Sequence, residues 1–146
     1  SRSFAFETTL RDLTFEQVRR AKANGFRVEM LFVAAGPVEE HVRRVKIRAH
    51  AGGHSASEST LREIYTRGMR LLLTAFEENR RGNVETLAVF DNPKTADEPK
   101  PTLIVEMVTG APKAIAAEAP EWFQTALRGT AFELDRLRPL SRDSER

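Results

Sequence analysis

A nearly unbroken apolar run between two glycines constrains this chain most. Val28, Met30, Leu31, Phe32 and Val33 fall between Gly25 and Gly36. A half-exposed strand alternates apolar and polar residues. A run without alternation suits a strand buried on both faces, as parallel strands are between helical layers. The flanking segments read as helices. Phe15, Val18, Ala21 and Ala23 give an apolar side to a helix over 15–24, begun at Thr14 with Gln17 three residues on and closed by Asn24-Gly25. Pro37 opens a second helix over 37–49, with Val38, Val42 and Val45 as its stripe. A third, over 58–80, carries Leu61, Ile64, Tyr65, Met69, Leu72 and Phe76 at helical spacing.

Further strands are expected at residues 3–9, 85–91 and 102–108, with a loop over 92–101, a turn at Thr109–Pro112 and a helix from Pro120 to about 128. Trp122 reads as a hydrophobic anchor of that helix. The order β-α-β-α-α-β-β-α predicts an α/β domain with a mostly parallel sheet and helices on both faces. The domain is expected to span 1–137, with a last short helix or tail from Thr130 and a charged tail at 138–146.

At 146 residues one domain is expected, large enough to bury roughly two-thirds of its unfolded surface. No apolar run approaches the roughly 20 residues that span a bilayer. No charged-then-apolar secretory pattern opens the sequence, and a cytoplasmic location is expected. The absence of cysteine excludes disulfides and thiolate metal sites. Three scattered histidines form no zinc pattern, and no metal ligand is named. Net charge is only +2, yet eighteen of the twenty-three bases are arginine, whose flat fork suits phosphate and carboxylate.

Four motifs carry possible chemistry. Glu7-Thr8-Thr9 ends the first expected strand, where open α/β sheets hold ligands; there Thr8 and Thr9 offer hydroxyls to a sugar or phosphate. Arg43-Arg44-Val45-Lys46-Ile47-Arg48 leads into Gly52-Gly53-His54. Arg44 and Arg48 lie i, i+4 and can point at one anion, the glycines permit a sharp turn, and His54 can bond a phosphate or hydroxyl. The competing reading is a solvated basic face paired with Glu39, Glu40 and Glu58; His41 and His50 read as surface residues. Leu61-Arg62-Glu63-Ile64-Tyr65-Thr66-Arg67 adds two further arginines. In Phe90-Asp91-Asn92, Asp91 or Asn92 can bond a base, or simply make the turn that such residues favour.

Together, Phe4–Thr9, the basic segment with Gly52-Gly53-His54, and Leu61–Arg67 resemble the second half of a zeta-toxin-like P-loop kinase, over roughly residues 1–128. Arg62, Tyr65 and Arg67 match that family's R-x-R-Y-x-R-like run, and Ile64 stands where a further arginine is common. The resemblance implies phosphorylation of a small hydroxyl-bearing substrate with ATP or GTP and Mg²⁺. It implies Glu7 as substrate ligand or base-side carboxylate, with Arg44, Arg48, Arg62 and Arg67 clamping phosphates. No G-x-x-x-x-G-K-[ST] loop occurs, so the isolated chain is expected to be inactive. The family's leading central strand would lie ahead of Ser1. The resulting gap is closed by the strands themselves, filled by a second chain, or filled by a missing portion. Partners compatible with this reading are a small-molecule substrate, an antitoxin, a second chain completing the sheet, or another copy in a homo-oligomer. The alternative is a non-enzymatic module that binds an anion, a nucleic acid or a protein.

Overall fold

The computed structural model describes residues 2–93 and 100–142. Most of the expected loop at 92–101 falls on 94–99, outside the described residues. The elements follow in the order α1 (Asp12–Ala23), β1 (Glu29–Ala34), α2 (Val38–His50), α3 (Glu58–Arg80), β2 (Thr86–Asp91), β3 (Thr102–Val108), β4 (Ala111–Ile115), α4 (Glu121–Leu127) and α5 (Leu134–Arg142).

The class is α/β, but the sheet is mixed rather than mostly parallel. Its order is β1-β2-β3-β4. Only β1 and β2 run parallel; β2–β3 and β3–β4 are antiparallel. The long α2–α3 connection allows the parallel pair, because parallel neighbours need a crossover. The reversal into β4 is made by Thr109 and Gly110, both at positive φ (46° and 81°). Two such residues form the tight hairpin turn whose twist matches antiparallel strands.

The expected strand at 3–9 is not formed. That segment has no regular secondary structure and is exposed, and it ends at Leu10, which adopts φ 50°. Helix α1 starts at Asp12, three residues earlier than the capping pattern suggested. Thr14 lies inside it and reaches back: its Oγ1 accepts from the Arg11 N–H at 3.2 Å. The predicted bounds of α3 match, with Ser57 Oγ accepting from the Thr60 N–H at 3.2 Å. Helix α5 continues to Arg142, into the segment read as tail.

The core lies against one face of the sheet. Phe32 pairs with Val89, Val89 with Val105, and Leu87 with Met107, so these side chains form one apolar layer. Phe15 and Val18 of α1, Leu72 and Phe76 of α3, and Phe123 of α4 close over it. On the other face Leu31 is 70% and Val33 51% exposed. The apolar run is therefore a strand covered on one side only, and helices do not flank β1 on both faces.

Candidate functional site

The carboxyl ends of β1 and β2 point the same way, and a polar cleft of about 220 Å³ opens there. Val33, Ala34 and Ala35 form its floor, α2 its wall and Asn92 its far side. In open α/β sheets this end gathers ligands, because the loops leaving parallel strands splay apart there.

Arg44 and Arg48 both line the cleft from successive turns of α2, as their spacing predicts. Their states differ. The Arg44 side chain is 12% exposed; its Nε donates to Glu40 Oε1 at 2.7 Å, and its Nη2 donates to the Pro93 carbonyl. These bonds tie α2 to the chain leaving β2. The Arg48 guanidinium is exposed and has no hydrogen-bond or ion-pair partner among the described residues. Glu40 also takes two bonds from Arg43, at 2.8 and 2.6 Å. Those hydrogen bonds from Arg43 and then Arg44 hold the Glu40 carboxyl down at about 2.

His41 belongs to this site, although it read as a surface residue. It sits three residues before Arg44 and seven before Arg48, on the same helical face, and that spacing was the available signal. Its Nε2 accepts from the Ala35 N–H at 3.1 Å, which places the ring proton on Nδ1. Tyr65 meets its ring edge-on at 5.0 Å. Burial, and then the Arg44 charge, push the His41 imidazole below its ordinary value. Neutral His41 thus fixes the exit of β1 against α2.

Asn92 completes the cleft. Its backbone N–H extends the parallel ladder to the Ala34 carbonyl at 2.8 Å. Its side-chain Oδ1 is buried without a hydrogen-bond partner among the described residues. Neighbouring Asp91 is engaged elsewhere, accepting from Trp122 Nε1 at 3.2 Å. Trp122 is thus an anchor, as expected, with its polar tip satisfied.

Other expected site residues lie outside the cleft lining. Glu7, Thr8 and Thr9 are exposed on the N-terminal segment, and Thr8 Oγ1 lies 3.3 Å from Thr14 Oγ1. His54 is exposed on the α2–α3 loop. Arg62 pairs with Glu58 at 2.9 Å and Glu39 at 3.5 Å, and Lys46 with Glu58 at 3.0 Å. These ion pairs, and that of Arg43 with Glu40, join the residues that the solvated-face reading paired. Arg67 is exposed, with no ion pair among the described residues. The convergence expected of two helices is made by α2 alone. Gly52-Gly53 does end α2: Gly52 has φ 90°, and a Cβ on Gly53 would stand 2.8 Å from the Arg48 carbonyl oxygen.

Two arginines facing one small cleft suit an anion of phosphate size. Among the described residues no group of three or more His, Cys, Asp or Glu gathers to hold a metal, and no helix is long and apolar enough to cross a membrane. Comparison with family models, curated proteins and solved structures finds no match.

Proposed function

We propose that this cleft holds a phosphate group, and that the chain is the lid-bearing part of a nucleotide-dependent kinase of the zeta-toxin-like kind. Its substrate is a small hydroxyl-bearing molecule. The supporting observation is Arg48: a guanidinium without a partner among the described residues, one helical turn from Arg44, at the carboxyl end of a parallel pair. An unpaired arginine beside a held one leaves donors free for an incoming anion. Such groups stabilise charge on a transferring phosphoryl group. ATP or GTP would bring its phosphates to Arg44 and Arg48, with Mg²⁺ bound mainly through those phosphates. Lacking a phosphate loop, the isolated chain binds without turning over.

The test is thermal unfolding with Mg·ATP or inorganic pyrophosphate. A saturable rise in Tm is expected, and Arg48→Ala should abolish it while leaving the unliganded Tm unchanged. No rise, or an equal rise in the variant, overturns the reading. The exposure of Arg62 and Arg67 favours a second reading, a binding module for nucleic acid or another polyanion. Affinity for single-stranded RNA that falls steeply with salt, with no response to pyrophosphate, would select it.

A further inference from the structure

Among the described residues no strand pairs with the outer edge of β1. β1 is terminal in the four-stranded sheet and pairs with β2 on its inner side. The direction of its main-chain groups follows from the ladder. The Val28 carbonyl accepts from Glu85 N–H at 2.8 Å and the Ala34 carbonyl from Asn92 N–H at 2.8 Å, so even-numbered positions face β2. Residues 29, 31 and 33 therefore turn their N–H and C=O groups outward. The side chains of Leu31 and Val33 are those left 70% and 51% exposed on the open face. One strip thus combines free main-chain donors and acceptors with uncovered aliphatic side chains.

Natural edge strands are guarded by lysine, proline, bulges or short length. β1 spans six residues, Glu-Met-Leu-Phe-Val-Ala, with no lysine and no proline. Its pairing with β2 runs in register from Glu29 to Ala34. Its single charge, Glu29, sits at one end, near Arg27 at 3.6 Å. Nothing in its middle repels another strand.

We infer that β1 pairs antiparallel with β1 of a second copy, joining two four-stranded sheets about a two-fold axis at Phe32. That register sets Leu31 opposite the partner's Val33 and Val33 opposite the partner's Leu31. All four outward groups of these two residues are then paired, and four aliphatic side chains bury one another. Each Glu29 lies opposite the partner's Ala35, so no like charges meet. An isologous dimer is also the commonest closed assembly. Leu31 lies outside the cleft and Val33 belongs to its floor, but the pairing rests on main-chain groups and aliphatic side chains and needs no bound phosphate.

Sedimentation velocity tests it. The chain should sediment as a dimer at about 100 µM. Leu31→Lys/Val33→Lys and Leu31→Glu/Val33→Glu should each be monomeric with unchanged circular dichroism, since both positions are exposed. Mixing the two variants should restore a heterodimer, because the register brings lysine against glutamate at both positions. A monomeric wild-type chain overturns the inference. So does a dimer that survives the lysine pair, or oligomers without a discrete dimer. A dimer dissolved by Phe4→Ser/Phe6→Ser instead would overturn it in favour of exchange of the exposed N-terminal segment.

Discussion

Two polar regions lie at opposite ends of the sheet, and they are built to opposite rules. At the amino end of β2 sit Glu78 and Asn79, both buried near the end of α3. Glu78 accepts from Arg19 at 3.1 Å, Arg81 at 3.4 Å and Asn83 at 2.8 Å. Asn79 Nδ2 faces the carbonyls of Val84, Glu85 and Met107, and its Oδ1 accepts from the Gly110 N–H at 3.0 Å. Here the buried side-chain groups have found partners. At the carboxyl end, among the described residues, the buried Asn92 Oδ1 has no partner and neither has the exposed Arg48 guanidinium. A satisfied buried network fixes a fold, whereas an unsatisfied one leaves bonding capacity for something else. Polarity alone does not mark a site; what matters is whether the polar groups close on one another.

The sharpest way to break this contrast is to remove the two asparagines in turn. Asn79→Ala would take their side-chain partner from the buried Val84 carbonyl and the Gly110 amide, beneath the hairpin of β3 and β4, while the Glu85 carbonyl keeps its bond from the Thr109 N–H. It should cost about 3 kcal/mol or more by urea denaturation. Asn92→Ala keeps its backbone bond to Ala34 and loses a side-chain acceptor that bonds nothing among the described residues. It should change stability by less than about 0.5 kcal/mol. Equal costs would mean that the cleft is part of the scaffold.

Glycines sharpen the comparison at an intermediate scale. Gly53→Ala places a methyl 2.8 Å from the Arg48 carbonyl, so the backbone ending α2 must shift. A loss of about 1–2 kcal/mol is expected, with weaker pyrophosphate binding because the shifted turn carries Arg48. Gly68→Ala, in the middle of α3 with open space around it, should instead stabilise by about 0.5–1 kcal/mol and leave binding unchanged. If both variants behaved alike, the turn at Gly53 would not be what positions Arg48.

Much of this architecture could be read from spacing. The bounds of α3 and β3 and the shared face of Arg44 and Arg48 follow from period and capping alone. Strand direction does not, because a residue pattern is the same read up or down. β4 escaped notice because Pro112 sits within its five residues, and proline in so short a run reads as turn; an edge strand tolerates it. The one local clue was Thr109-Gly110, whose paired positive φ values make a hairpin, but threonine is an unusual first residue for that turn. Phe4–Thr9 alternates as a strand should, yet pairs with none in the structure, since pairing needs a neighbour that the pattern cannot supply. His41 was hidden for a related reason. Its role depends on the Ala35 amide and Tyr65, which reach it only through the fold.

The finest difference between the two ends is in their response to acid. His41 holds its proton less tightly folded than unfolded, because burial and the Arg44 charge disfavour the imidazolium. The unfolded chain therefore binds more protons once pH falls through the ordinary 6.5. His41's contribution is complete above that value and lost below it, toward its own lower pKa. Glu40, held at about 2 by Arg43 and Arg44, adds a second loss that begins near 4.5 and completes near 2. The cleft end should thus weaken as pH falls below 6.5 through His41, and again as it falls below 4.5 through Glu40. His41→Gln should remove only the upper step, seen as a smaller difference between urea midpoints at about pH 7.5 and about pH 5. Its glutamine oxygen can still accept from Ala35, so stability at the higher pH should hardly change. Glu40→Gln should leave the upper step and flatten the lower one. If His41→Gln left the fall between the two pH values intact, the imidazole would not be the group that titrates there.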